Sequence, residues 1–292
     1  TPRIVARLIK DDARCRLLSE RPDKTAQLNA ALERGAAPWV LVTDADSRMS
    51  PETLGTMVSA AQSDESLGAV GAPVEPADGC HWLERAHWRI SNRVRALESR
   101  SGCASLVTGP CYLVRRDVIN RIPGDVVADD IHAALAAARL GLGVCLVETP
   151  VTELRTPRSL SELFRHKLRK TTAYLREVFR FLPACLRMPG PARGLFLWRA
   201  AQLIVLPWLV AAAFVWLALS PSPLPAAALG LVVLGGGAVA LLASVDKDHD
   251  RPRLWTGLAL AVFLLAVCLA AGITYPLRRR SACYPKVGAA ST

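Results

Sequence analysis

Two aspartates separated by one residue follow an apolar run in the first third of the 292-residue chain. Residues 39–43 read Trp-Val-Leu-Val-Thr, and Asp44 and Asp46 come directly after them. The run is typical of a buried strand, so both carboxylates could approach one hard cation. Mg2+ or Mn2+ bound in this way completes its coordination with substrate phosphates. The spacing also fits a solvated acidic turn, or an aspartyl-nucleophile phosphatase, which usually has Thr or Val where this chain has Arg48.

A second acidic pair, Asp129 and Asp130, opens a helical pattern that continues to residue 140. The helix macrodipole favours acidic side chains in a first turn, so these two could serve only to stabilise the helix. Alternatively, one of them could act as a general base toward an attacking hydroxyl. One chain that contains both an acidic pair suited to bind a metal ion and an acidic pair suited to supply a general base favours the catalytic interpretation of both.

The first 150 residues alternate short apolar runs with helical patterns. The predicted strands are 15–19, 39–43, 69–74, 106–115 and 144–148. The predicted helices are 24–34, 51–62, 80–99 and 129–140. Strands separated by helices predict an α/β fold, Rossmann-like, with a mostly parallel sheet and helices on both faces. Such sheets bind ligands at the carboxyl ends of their strands, which is where Asp44 and Asp46 fall.

The net charge of +11 is distributed unevenly along the chain. Residues 1–155 have 19 basic and 20 acidic side chains, whereas residues 156–199 have 10 basic and 2 acidic ones. The basic stretch includes an amphipathic helical pattern from Ser159 to about Phe181. A basic amphipathic helix beside apolar segments predicts a membrane interface with anionic lipid. We therefore predict that this basic stretch binds membrane lipids and does not bind nucleic acid.

Two long stretches of the chain, 200–245 and 254–277, contain no Asp, Glu, Lys or Arg. A bilayer span needs about 20 apolar residues. We predict three transmembrane helices, at about 201–219, 226–245 and 254–276. A span at 201–219 that lies in the interface instead would leave two crossings and place the basic residues after 277 inside.

The predicted organisation has four parts. They are a globular catalytic domain at 1–155, a basic interfacial segment at 156–199, transmembrane helices at 200–277 and a tail at 278–292. The positive charge beside the first span predicts a multi-pass protein of the inner membrane with its globular domain in the cytoplasm. The eight cysteines are scattered without a paired motif, which is typical of a reducing compartment.

The order of the motifs resembles glycosyltransferase family 2, the inverting sugar transferases of the GT-A type that include cellulose, chitin and hyaluronan synthases and many bacterial relatives. Residues 23–29 look like the family's Gly-Lys-x-x-Ala-Leu-Asn helix start, with Asp in place of Gly and Gln in place of Ala. Residues 43–47 look like its metal-binding strand end. Residues 108–110 resemble its acceptor-side loop, and residues 128–130 stand where the family has Thr-Glu-Asp.

The resemblance runs from about residue 15 to residue 182 and implies a role for each matching residue. Asp130 would be the general base, and Asp44 and Asp46 would hold Mg2+ or Mn2+ at the donor diphosphate. The implied substrate-binding residues are Lys24, Asn29, Asp44, Gly109, Asp129 and Arg169. The implied donor is a nucleotide-sugar, for which we favour a uridine diphosphate sugar, and the implied acceptor is a glycan or a lipid-linked glycan.

Two departures limit what the resemblance implies. Processive synthases have Gln-x-x-Arg-Trp on the interfacial helix, whereas residues 166–170 here read His-Lys-Leu-Arg-Lys, so that only Arg169 matches. A non-processive enzyme is therefore at least as compatible with this helix as a processive synthase is. The family's opening strand and its nucleobase-reading Asp pair would precede Thr1, so we expect a truncated domain. A sugar-phosphate nucleotidyltransferase and an inactive membrane scaffold of the same fold remain the alternatives.

Overall fold

The computed structural model describes residues 2–18, 23–100, 107, 109–219 and 254–278. The helices in this part of the chain are α1 (Pro2–Leu8), α2 (Lys24–Arg34), α3 (Thr53–Ser63), α4 (Trp82–Arg100), α5 (Asp129–Arg139), α6 (Leu160–Phe181), α7 (Gly190–Ile204), α8 (Leu206–Leu219) and α9 (Leu254–Arg278). A 3-10 helix occupies Leu182–Arg187. The strands are β1 (Trp39–Thr43), β2 (Ser47–Met49), β3 (Leu67–Gly71), β4 (Val74–Pro76), β5 (Cys111–Arg115), β6 (Gly143–Leu146) and β7 (Val151–Glu153).

The described strands form two mixed sheets. The first has the order β1-β5-β3-β6, in which β5 is antiparallel to β1 and to β3, and β3 is parallel to β6. The second has the order β2-β7-β4, with one antiparallel and one parallel pair. The prediction of a mostly parallel sheet is therefore wrong for these strands. Alternating strands and helices do not fix strand direction, because the chain from α4 to β5 is long enough to re-enter the sheet from either end.

The central strand β5 is covered by helices on both faces, as predicted. Successive strand side chains point to opposite faces, so Tyr112 and Val114 pack with Ile131 of α5 in one apolar cluster. Leu113 points the other way and packs with Met57 of α3 in a second cluster. Because β5 is buried between these layers, the residues of β1 and β3 that pair with it are held in a fixed position.

Most of the predicted elements are present: α2 and β1 have the predicted ends, and the others have shifted ends. The four predicted helices correspond to α2, α3, α4 and α5, and the predicted strands correspond to β1, β3, β5 and β6. Residues 15–18 form no strand, so the strand predicted at 15–19 is wrong over its described part. Part of the strand predicted at 106–115 lies outside the described residues. The side chain of Asp23 caps α2 by accepting from Thr25 N at 3.1 Å, which fixes where that helix begins.

The predicted basic amphipathic helix is present as α6. The side chain of Ser159 accepts from Glu162 N at 3.3 Å and caps its first turn. One face of α6 packs against α4 and α9 through a cluster of three buried leucines, Leu83, Leu163 and Leu260. Another face packs against α5, so α6 lies between the sheet domain and the apolar helix α9.

The apolar helices match the predicted spans only in part. The segment Thr256–Pro276 in α9 is long and apolar enough to cross a bilayer, with a mean hydropathy of 2.5. Helices α7 and α8 pass the same test only as a pair bent by 42°. Pro207 follows the break closely, and a proline inside a helix removes one backbone hydrogen bond. The span predicted at 226–245 lies outside the described residues, so three transmembrane helices stay a prediction.

Candidate active site

The first acidic pair lies in a turn that follows β1. The backbone N–H of Asp44 donates to Pro110 O at 3.0 Å, and the backbone N–H of Ser47 donates to Asp44 O at 3.1 Å. Asp46 O accepts from Leu154 N at 2.8 Å. The turn is therefore tied both to Pro110, just before β5, and to Leu154, just after β7, which fixes the backbone that bears the two carboxylates.

The Lys24 ammonium joins the two acidic motifs. Its Nζ lies 3.0 Å from Asp44 Oδ1 and 3.0 Å from Asp129 Oδ1. Burial opposes the charge of this ammonium, but the carboxylates of Asp129 and Asp44 outweigh that effect and raise the pKa of Lys24 above its ordinary value. The structure thus brings together Lys24, Asp44 and Asp129, which the sequence placed on three separate elements.

Both carboxylate oxygens of Asp129 have a partner. Oδ1 forms an ion pair with the Lys24 ammonium, and Oδ2 accepts a hydrogen bond of 2.7 Å from the Tyr112 hydroxyl on β5. Burial and the charge of Asp129 raise the pKa of Tyr112 well above its usual value, so this hydroxyl keeps its proton and donates. Sequence analysis missed Tyr112, although its position two residues before Val114 on an alternating strand points it to the α5 face.

The Asp130 carboxylate has a different environment from that of its neighbour. Burial raises the pKa of Asp130 to about 6, and the adjacent Asp129 charge adds to the rise, while Lys24 opposes it. A carboxylate with a pKa near neutrality suits a general base. Gly109 lies against this group, because a Cβ added there would stand 3.1 Å from Asp130 Oδ2.

The loop that leads into α5 is held by α2. The Asn29 amide donates to Ile122 O at 2.8 Å and accepts from Ile122 N at 2.9 Å. The Thr25 hydroxyl donates to Val126 O at 2.7 Å. In this structure the Asn29 side chain therefore supports the loop before the acidic pair, and its contact with the donor stays a prediction. Thr25 was not singled out from the sequence.

Arg169 lies on α6. Its Nε is buried and has no hydrogen-bond partner among the described residues. Burial is the largest cause that lowers the pKa of His166 to about 2, and the charges of Lys170, Lys167 and Arg169 contribute. The phosphate contact predicted for Arg169 is not tested by these contacts.

A buried polar cluster between α4 and α6 was not foreseen from the sequence. Lys167 Nζ lies 2.7 Å from Glu84 Oε2, and both side chains are buried. Burial lowers the pKa of Lys167 to about 8, although the Glu84 charge opposes this. Lys167, Lys170 and Arg95 each lie 5.5 Å from the centre of the Trp88 ring. Cations near an aromatic face are attracted by its quadrupole, so each of these three side chains has a favourable contact with Trp88.

Asp44 and Asp46 fit a divalent cation whose remaining ligands come from elsewhere. Within the described residues, no group of three or more His, Cys, Asp and Glu side chains is placed to hold a metal. Two carboxylates suffice for Mg2+ or Mn2+ when substrate phosphates complete the coordination. The metal role of Asp44 and Asp46 stays a prediction, in which a diphosphate would supply the remaining ligands.

A family profile described as "Glycosyltransferase like family 2" matches residues 8–173. The match covers more than half of the 292 residues. The chain therefore belongs to glycosyltransferase family 2, which confirms the resemblance seen in its motifs.

Two curated relatives share part of the chain. An N-acetylglucosaminyltransferase of Rhizobium meliloti (strain 1021) is 24% identical over 183 residues, which cover 57% of this chain and 43% of the relative. Hyaluronan synthase 2 of Homo sapiens is 26% identical over 140 residues, which cover 40% of this chain and 25% of the relative. The chain thus spans less than half the length of either relative.

A mannosyltransferase from Pyrobaculum calidifontis, solved in complex with GDP-Man and Mn2+, has a similar structure. The TM-score is 0.66, with 22% sequence identity, and the match covers 96% of this chain and 75% of that chain. At this identity the likeness is one of fold, and it supports the GT-A, Rossmann-like architecture predicted from the motifs.

The contact between Gly109 and Asp130 leads to a first prediction. Gly109→Ala places a methyl group 3.1 Å from Asp130 Oδ2, so the carboxylate must shift. Small displacements of a reacting group are costly, and we expect the kcat for sugar transfer to fall by about tenfold. Gly55→Ala is the matched control, since nothing lies within 4 Å of its added Cβ. Equal kcat values for the two variants would contradict the close approach.

The Asn29 contacts lead to a second prediction. Asn29→Ala leaves the Ile122 N–H and C=O without their partner, so we expect the free energy of unfolding to fall by about 1–3 kcal/mol. Asn92 makes the same two-bond contact with Val74 and is the matched control. Chemical denaturation with nucleotide-sugar binding to the folded fraction checks both. A loss of binding in Asn29→Ala alone would favour the predicted donor contact instead.

Proposed function

We propose that this chain contains the catalytic part of a membrane-anchored, inverting glycosyltransferase. It would move a sugar from a nucleotide-sugar to a hydroxyl of a glycan or lipid-linked acceptor. The observation that carries the proposal is the Lys24 ammonium between Asp44 and Asp129, because it brings a cation-binding pair and a candidate base to one place. Membership of glycosyltransferase family 2 supports the same reaction class.

The reaction would be a single in-line displacement. Asp130 takes the proton of the acceptor hydroxyl while that oxygen bonds to the anomeric carbon. The bond from this carbon to the nucleoside diphosphate breaks on the opposite side, so the configuration at the carbon inverts. Asp129 is held by Tyr112 and Lys24 and keeps the first turn of α5 in place.

Negative charge grows on the departing diphosphate during this step. When bound by Asp46 and Asp44, Mg2+ or Mn2+ would supply the charge that neutralises it. The Lys24 ammonium lies beside the same site and adds a fixed positive charge. Arg169 could offer a planar two-point contact to the phosphates, as the resemblance implies.

The donor is proposed to be a uridine diphosphate sugar. The name of the Rhizobium meliloti relative points to N-acetylglucosamine as the transferred sugar in that protein. The structurally similar mannosyltransferase has GDP-Man bound. A donor panel that contains both UDP-N-acetylglucosamine and GDP-mannose separates these alternatives by turnover.

The anchor is proposed to be the apolar helices, with the catalytic part on the cytoplasmic face of the inner membrane. Large apolar side chains on α7 and α8 are exposed, among them Trp198, Trp208 and Trp216. Exposed apolar side chains of this size suit lipid, and tryptophan is enriched at membrane interfaces. The basic segment at 156–199 would then face anionic headgroups.

The base role of Asp130 is tested by Asp130→Asn in the full-length protein. We expect turnover to fall by about 10²–10⁴-fold, because the amide cannot accept the proton, while donor binding is kept. For the unsubstituted enzyme, kcat/KM should fall as the pH drops through about 6, because Asp130 becomes protonated. The exposed Asp117, which pairs with Arg115, gives the control Asp117→Asn. Retained turnover in Asp130→Asn would remove it from the base role.

The metal role of Asp46 is tested by a titration of Mn2+ in the presence of the nucleotide-sugar. In Asp46→Ala, the metal-dependent gain in donor affinity should be lost, because one of the two carboxylates is gone. Asp78→Ala removes an exposed carboxylate and should bind as the unsubstituted protein does. Metal-dependent binding that is equal in both variants would refute the assignment of Asp46.

A further inference from the structure

The Glu177 carboxylate on α6 is fully buried and lies outside the acidic site. Its Oε2 lies 2.8 Å from His132 Nδ1 on α5, and its Oε1 lies 3.3 Å from Arg180 Nε. The His132 ring is also held by Phe181, with ring centres 5.4 Å apart.

Arg180 extends this contact to the loop before α5. Its Nη2 lies 2.6 Å from Asp125 Oδ2. Asp125 precedes the Asp129–Asp130 pair and His132 follows it, so α6 holds the chain on both sides of the candidate base. We call Glu177, Arg180, His132 and Asp125 the α6 clamp.

The opposite side of the same segment is held by α2. Thr25 and Asn29 bond the backbone at Val126 and Ile122, and Lys24 bonds the side chain of Asp129. The segment that contains Asp130 is therefore fixed from two elements far apart in sequence. The Tyr112 hydroxyl on β5 and the apolar packing of α5 against the sheet support the same segment. The α6 clamp adds contacts to the chain on both sides of the candidate base.

A buried carboxylate is an expensive way to join two helices. The free energy lost when the carboxylate leaves water is comparable to what its partners restore, and apolar packing of the same volume is often as stable. An ion pair differs from apolar packing in fixing direction, because each hydrogen bond works only over a narrow range of angles. The clamp therefore suits a role in orientation more than one in overall stability.

We propose that Glu177 is a positioning residue for the reaction, which through His132 and Arg180 sets the placement of Asp130. This inference rests on the proposed glycosyl transfer. Helix α6 also packs against α9 through Leu163 and Leu260, so the clamp joins the base to the apolar helices. Glu177 touches none of the groups proposed to contact the substrate, and it acts only through the segment it holds.

Glu177→Ala should lower kcat by about 10- to 100-fold, because the base loses its fixed placement. The Kd of the nucleotide-sugar should change by less than about twofold, since the acidic pair after β1 is untouched. Glu177→Gln keeps an oxygen acceptor and adds an N–H donor, so its amide can still bond His132 Nδ1 in either tautomer and its kcat should exceed that of Glu177→Ala. Turnover kinetics and equilibrium donor binding give the two quantities.

A second variant separates orientation from stability. His132→Leu combined with Glu177→Leu replaces the buried pair by apolar packing, which should leave the melting temperature at or above that of Glu177→Ala. If the clamp orients Asp130, kcat stays low in this stable double variant. If kcat returns together with stability, the role of Glu177 is only structural and the inference is overturned.

The matched control is Glu98→Gln, which removes the charge from another largely buried helix–helix pair, between Glu98 of α4 and Arg199 of α7. It should leave kcat unchanged. An unchanged kcat in Glu177→Ala, or a fall in donor affinity that equals the fall in kcat, would overturn the inference. Absence of sugar transfer in the unsubstituted protein would contradict the proposed function itself, so the two failures are distinguishable.

Discussion

The Lys24 ammonium is the contact on which the candidate site depends. Asp44, Asp129 and Asp130 come from two elements, and like charges this close would repel one another if no cation lay between them. Lys24 offsets that repulsion from the first turn of α2, where the Asp23 cap fixes the start of the helix. The same ammonium lies beside the position proposed for the donor diphosphate. One side chain thus supports both the assembly of the site and its proposed chemistry.

Two adjacent carboxylates acquire different properties in this environment. Asp129 has Tyr112 and Lys24 as partners for its two oxygens, and its charge is satisfied by them. Burial and the neighbouring negative charge raise the pKa of Asp130. A carboxylate whose pKa is raised toward neutrality by its surroundings is suited to the role of a base in an active site. The difference comes from their neighbours, since both residues are aspartates in the same helical turn.

Contacts from two helices hold the loop before α5 and the first turns of α5 in place. Helix α2 bonds its backbone through Thr25 and Asn29, and α6 bonds its side chains through the α6 clamp. Active sites require supporting contacts that keep reacting groups close to their productive geometry. Helix α6 also packs against α9, so it connects the sheet domain to that apolar helix, as α4 does.

The sequence by itself determined the local features: the β1 strand with its two aspartates, the starts of α2 and α5, the basic helix α6 and the family. These follow from hydrophobic period, caps and short motifs, which act over a few residues. Only the tertiary structure decided that β5 runs antiparallel to both neighbours and that the Tyr112 hydroxyl donates a hydrogen bond to Asp129. It also gave Asn29 a partner 93 residues away. Such pairings depend on how elements distant in sequence pack together, and local sequence patterns do not predict that packing.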